Sequence, residues 1–142
     1  MITHIMIPYD KSESAKRAFE YVVDLAKKYS SSVSVISCVS IQAPTDLYFG
    51  TAYIETARLL KEDAMKSTVD LEAQLKKSKI PYKIEVLEVS SITDSLVSYA
   101  ESHNVDLIVM GSRGLGGFKK LLLGSVASGV SQHSKCPVLI VK

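Results

Sequence analysis

No run of apolar residues in this chain approaches the ~18 that a membrane-crossing helix needs. The opening MITHIMIPYD holds too short an apolar run for a secretory signal. The expectation is a soluble cytoplasmic protein without a membrane partner. Cysteine is scarce: Cys38 and Cys136 stand far apart, each in a strand-like run. Metal and redox motifs use closer Cys/His spacings, so two buried, reduced thiols are expected. His4, His103 and His133 share no spacing either, and no metal site is read from them. Acidic residues are missing altogether after Asp106, where the chain carries Arg113, Lys119, Lys120, Lys135 and Lys142. Over the whole chain 17 basic residues nearly balance 15 acidic ones, which argues against a nucleic-acid partner. The local imbalance points instead to a small anion. Linkers, internal repeats and low-complexity tracts are also lacking. With 142 residues, 46% of them hydrophobic, residues 1–142 read as one domain.

What is present is an alternation of two hydrophobic periods. Ile2–Ile7 is a short apolar run stopped by Pro8, and reads as the first strand. Ser12 offers an N-cap with Glu13 in the first turn. Ala15, Ala18, Phe19, Val22, Leu25 and Ala26 then follow at helical spacing to about Tyr29. Val33–Val39 is a β-branched second strand. Residues 41–54 fit neither period, and a connection of that length suggests a lid or a partner surface built on Tyr48, Phe49 and Tyr53. A long helix is expected from about Glu55 to Ser78, on the stripe Leu60, Ala64, Thr68, Leu71, Leu75. Tyr82–Val89 is a third strand, and Thr93 or Asp94 can cap a third helix. Leu107–Met110 is a fourth strand, Ser125–His133 a fourth helix and Pro137–Val141 a last strand. Strands alternating with helices imply parallel pairing through right-handed crossovers, hence a doubly wound α/β sheet with helices on both faces.

Glycine is scarce as well, but unevenly so. Five of the seven glycines fall within GSRGLGGFKKLLLGS, residues 111–125, between the fourth strand and the fourth helix. In open parallel sheets ligands lie beyond the carboxyl ends of the strands, where strand order reverses. Gly111 and Gly114 would let the main chain approach an anion closely, and Gly124-Ser125 sits where a helix presents free N–H groups. Phosphate is the natural ligand. A valine at Gly124 is expected to fill the phosphate position and abolish binding with the fold intact. Named phosphate motifs do not fit. Gly124 is followed by Ser125 without the lysine of a Walker loop, and residues 8–14 hold no glycine for a dinucleotide fingerprint. Val89-Ser90-Ser91 offers no phosphoacceptor aspartate at the end of the third strand.

The spacing Gly111-x2-Gly114-x9-Gly124-Ser125 resembles the nucleotide-binding motif of the universal stress protein family. The resemblance extends through Ile5-Met-Ile-Pro8-Tyr9-Asp10, Val35–Val39, Asp106–Gly114, Leu122–Ala127 and Cys136–Val141, nearly the whole chain. It implies strand order 3-2-1-4-5 and an ATP site between the first and fourth strands. It further implies Pro8, Asp10 and Val39 around adenine and ribose, with Met110 and Gly111 at the ribose and first phosphate. Gly114, Gly124, Ser125 and Val126 would cradle the phosphates, with Mg²⁺ arriving on the nucleotide. Family members usually dimerise through the last strand, and an apolar edge strand is itself a reason to pair. The region Ser90–Thr93 departs from the glycine and proline that the family often carries there.

Three functions are open at this point. The leading one is an ATP-binding regulatory or stress-response homodimer. The second is a slow ATPase or phosphotransferase, in which Asp10 helps hold Mg²⁺ and Ser125 or a neighbouring hydroxyl accepts phosphate. The third is an interaction dimer without nucleotide. No catalytic residue is assigned. Asp10 could cap the first helix, face the ligand, or both, and Arg113, Lys119 and Lys120 could be a solvated face or auxiliary phosphate contacts.

Overall fold

The computed structural model describes residues 1–41, 50–116 and 122–142. In chain order the elements are β1 (His4–Pro8), α1 (Glu13–Tyr29), β2 (Ser32–Ser40), α2 (Gly50–Ser67) and α3 (Val69–Lys77). They continue with β3 (Tyr82–Val89), α4 (Ile92–Ser102), β4 (Leu107–Gly111), α5 (Ser125–His133) and β5 (Val138–Val141). The strands form one parallel sheet in the order β3-β2-β1-β4-β5, so the chain reverses its direction of travel between β1 and β4.

Strand alternation divides the core into two layers. Ile5, Ile7, Val33, Val35, Leu107 and Val109 meet α1 and α3 through Ala18, Phe19, Val22, Leu71 and Leu75. Met6, Ile36, Ile108 and Met110 point to the other face, against Leu96, Tyr99 and Ala100 of α4 and Ala127 and Val130 of α5. Ile5, Met6, Ile7 and Ile108 are fully excluded from solvent. Each such side chain contributes ~1.5–3 kcal/mol to the folded state.

Several expected boundaries need correction. The second helix begins at Gly50, not Glu55, so the last residues of the 41–54 stretch are helical. It is not continuous to Ser78. Ser67 Oγ donates to the Ala64 carbonyl and Thr68 Oγ1 to the Met65 carbonyl, at 2.7 and 2.8 Å, and the chain restarts as α3 after Thr68. Hydroxyls bonding back to carbonyls of the preceding turn compete with the helix ladder and bend it. The cap of α4 is Ser91, whose Oγ accepts from the Asp94 amide at 3.3 Å, rather than Thr93 or Asp94. Tyr48 and Phe49 of the expected lid lie outside the described residues, as do Lys119 and Lys120. Tyr53 is in α2, its hydroxyl donating to Glu88 at 2.7 Å. No described helix is long and apolar enough to cross a membrane.

Candidate functional site

The site begins with a proline. β1 pairs with β2 along its whole length, to Pro8↔Ile36, but with β4 only at Ile5↔Leu107 and Met6↔Ile108. Successive residues of a strand turn their main-chain groups to opposite neighbours. The Tyr9 amide donates to Ile36 of β2 at 2.9 Å, which leaves Pro8 turned towards β4. Proline has no N–H to give. The β1–β4 ladder therefore stops at the point where the sheet reverses, and the two strands part.

The loop leaving β4 is held by α1 and β5. Ser12 caps α1 with its Oγ accepting from the Ala15 amide at 3.2 Å. Two residues on, Ser14 Oγ donates to the Arg113 carbonyl at 2.7 Å and accepts from the Arg113 amide at 3.3 Å. The Ser112 amide donates to the Val141 carbonyl, and the Ser112 carbonyl accepts from the Gly124 amide, both at 2.7 Å. Ser112 is thus a main-chain bridge between the last strand and the entry to α5.

This bridging changes what the glycines do. A Cβ at Gly111 would lie 2.4 Å from Ser14 Oγ and 2.7 Å from the Ala15 nitrogen, so Gly111 is the contact at which α1 packs on β4. A Cβ at Gly124 would meet the Ser112 carbonyl oxygen at 3.1 Å and Arg113 Cα at 3.3 Å. A valine there would press on the loop itself, so the expected undisturbed fold requires Ser112 and Arg113 to give by a few tenths of an ångström. The Gly124 amide is also committed to Ser112. At Gly114 the nearest atom to such a Cβ is Asp10 Oδ2, at 2.9 Å, and at Gly116 nothing lies within 4 Å. No described glycine has positive φ. Close packing, not left-handed backbone, accounts for glycine at 111 and 124.

Between the parted strands lies a cavity of about 480 Å³. On the side of β2, α4 and the end of β4 its wall is apolar, formed by Ile36, Cys38, Ile92 and Met110. On the loop side it is polar, with Asp10, Ser12, Arg113, Gly114, Gly116 and Ser125. Pro8, Gly111, Gly124 and Val126 complete the expected residues that the fold brings to this wall. Val39 is the exception. It is buried in β2, but strand alternation places its side chain on the face opposite Ile36 and Cys38, and it does not line the cavity. Cys38 stands in its place, a signal available from the same alternation. Ile36 and Ile92 were not singled out from the sequence. Ile92 sits at the head of α4, within the region that departs from the family pattern.

The electrostatics follow from the lining. Asp10 is the only carboxylate on the described wall, and its Oδ1 accepts from the Ser12 amide at 3.0 Å, so it shapes the turn into α1. The helix cap itself is Ser12. Arg113 is the only described side-chain cation on that wall. α5 begins at Gly124 with no side-chain cap and no acidic residue in its first turn. The amides of Ser125, Val126 and Ala127 precede the first intrahelical donor, and the helix dipole adds partial positive charge there. Both cysteines are free and half-buried rather than fully buried. Burial pushes the Cys38 thiol up to about 11, so it is a neutral, weakly polar part of the wall. Among the described residues no cluster of three or more His, Cys, Asp or Glu is placed to hold a metal ion.

Comparison with known proteins places this geometry. The profile of the universal stress protein family matches residues 1–142. A universal stress protein of Methanocaldococcus jannaschii is 31% identical over 138 residues, covering 97% of this chain and 81% of its own. The solved structure of the protein MJ0577, from the same organism, superposes with a TM-score of 0.86 at 28% identity, covering 100% of this chain and 96% of that one. A universal stress protein of Archaeoglobus fulgidus, solved in complex with dAMP, shares the fold with a TM-score of 0.67 at 21% identity, over the full length of both chains.

Proposed function

This chain belongs to the universal stress protein family, and from that premise we propose that it is an adenine-nucleotide-binding protein, ATP with Mg²⁺ being the physiological ligand, which acts as a regulatory homodimer in a stress response. The observation that carries the reading is the parting of β1 from β4 beside the uncapped start of α5. An apolar slot and a set of free amides face one another across a single cavity, which suits a flat base at one end and phosphates at the other. The dAMP complex of the A. fulgidus relative agrees in ligand class.

In the proposed pose the base lies between Ile36, Cys38, Ile92 and Met110, with Pro8 at its edge. Val39 has only its main chain to offer. The ribose lies by Asp10 and Gly111. The phosphates meet the amides of Gly114, Ser125 and Val126, with Gly124 fixing the angle between loop and helix. Each charge-assisted hydrogen bond of this kind contributes ~1.5–3 kcal/mol. Among the described residues of the wall, Asp10 is the one carboxylate that would stand near a metal carried by the phosphates, which is little protein ligation but normal for Mg²⁺. The arrangement favours binding over turnover, because hydrolysis needs a placed base and neutralisation of the leaving charge. Dimerisation is proposed through β5, an edge strand with Leu139 exposed.

Mass spectrometry of the small molecule that co-purifies with the native protein, followed by calorimetric titration with ATP–Mg, tests the reading. A bound adenine nucleotide and a saturable heat are expected. An empty protein that gives no heat would remove it. Sedimentation at micromolar concentration tests the dimer, a monomer being the contrary result.

A further inference from the structure

A second hollow of about 560 Å³ lies against the other side of the β4–α5 loop. Its wall shares Ser12, Ser112, Arg113 and Gly114 with the first cavity, so the two meet along one partition. Beyond that partition the wall carries Arg17 and Lys142, and two leucines, Leu115 and Leu122. Arg17 Nε donates to the main-chain oxygen of Lys142 at 2.7 Å, which fixes the guanidinium at the groove. The ion pairs between side chains among the described residues leave out Arg17, Arg113 and Lys142. The one acidic side chain among the described residues of this wall, Glu13, is paired with Lys16 at 3.0 Å. Among the described residues, Leu115 and Leu122 are 65% and 91% exposed, a large apolar exposure on the wall that carries Arg17, Arg113 and Lys142.

We infer that the two hollows form one bipartite site, and that its full ligand is a nucleotide whose phosphate chain continues past Arg113 to a second, partly apolar head: the dinucleoside polyphosphate class. The inference rests on the nucleotide reading of the first cavity and extends it. A nucleoside in the first cavity sends its phosphates to Gly114 and Ser125, at the partition. Phosphates beyond the first ones run along Arg113 towards Arg17 and Lys142. The second head covers Leu115 and Leu122, which a mononucleotide leaves in water. The paired Glu13 adds little repulsion. The order apolar slot, free amides, cations, apolar lips matches a ligand with charge in its middle and flat, weakly polar groups at both ends.

The test is calorimetric titration of the full chain with ATP and with diadenosine tetraphosphate, repeated on Arg17→Glu and on Leu122→Asp. Arg17 and Leu122 line the second hollow alone. Wild type is expected to bind diadenosine tetraphosphate about tenfold tighter than ATP. Each variant should lose that preference and keep its ATP affinity, and Leu122→Asp covers the case in which Arg17→Glu unfolds. Equal affinity for the two ligands in wild type, or a preference that survives both variants, overturns the bipartite site and leaves the first cavity standing. Failure of wild type to bind either ligand overturns the nucleotide reading and the bipartite site with it.

Discussion

Ser14 holds Arg113. One hydroxyl in the first turn of α1 donates to the Arg113 carbonyl at 2.7 Å and accepts from the Arg113 amide at 3.3 Å, across 99 positions of sequence. Ser14 is buried, so both main-chain groups lose their partner if it goes. Ser14→Ala is expected to destabilise the fold by about 1–3 kcal/mol and to weaken ATP binding as the loop loosens. Urea unfolding and calorimetry measure the two effects, and an unchanged midpoint with unchanged affinity would contradict the role.

The glycines separate into those that pack and those that do not. Gly111→Ala puts a methyl group 2.7 Å from the main-chain nitrogen of Ala15, which the helix cannot yield easily, and Gly124→Val pushes on Ser112 and Arg113. Both are expected to cost about 1–3 kcal/mol in stability as well as affinity. Gly116→Ala meets nothing and is expected within about 0.5 kcal/mol of wild type. Thermal unfolding of the three variants decides this. A stable Gly124→Val that only fails to bind would restore the simpler view of that residue.

Much of this was legible in the chain. The β-branched runs mark all five strands, and the single reversal follows from the family likeness. Pro8 was legible as a strand stop, although its effect on the β1–β4 ladder needs the register of the neighbouring strands. The break at Thr68 was hidden because Leu60, Ala64, Thr68, Leu71 and Leu75 keep one helical stripe through it. The glycine cluster was visible but its reason was not. Gly111 answers to Ser14 and Ala15 of α1, a partner brought to it only by the crossover through β2 and β3. Val39 stands on the face of β2 opposite Ile36 and Cys38, a placement that strand alternation alone could have shown.

Cys38 reports on the cavity. Its thiol is half-buried on the apolar wall and pushed up to about 11 by burial. Alkylation at pH 7–8 is expected to be slow and to rise about tenfold per pH unit below 11, following the thiolate. Saturating ATP should slow it further by covering the wall. Peptide mass spectrometry against Cys136 as internal reference measures both. A rate indifferent to ATP would place the base elsewhere.

Asp106 ties the start of β1 to the start of β4. Its Oδ2 accepts from the Thr3 amide, the Thr3 hydroxyl and the His4 amide at 2.8, 2.7 and 3.0 Å, and these bonds, those of Thr3 foremost, lower its pKa below the usual carboxylate value. A lowered folded pKa adds stability that is fully present above the unfolded value and is lost as pH falls through the folded one. Asp106→Asn is expected to cost about 1 kcal/mol at pH 7, kept small by the exposure of Thr3. That difference should shrink below pH 4. A deficit that is constant from pH 7 to pH 3 would contradict the linkage.

The most direct measurement is amide chemical-shift mapping of the ¹⁵N-labelled protein during titration with ATP–Mg. The largest saturable shifts are expected at Gly114, Ser125 and Val126, whose N–H groups would receive the phosphates, with smaller ones at Ile36, Cys38 and Ile92. Saturable shifts concentrated away from the cleft between β1 and β4, or no shifts at millimolar nucleotide, would contradict it.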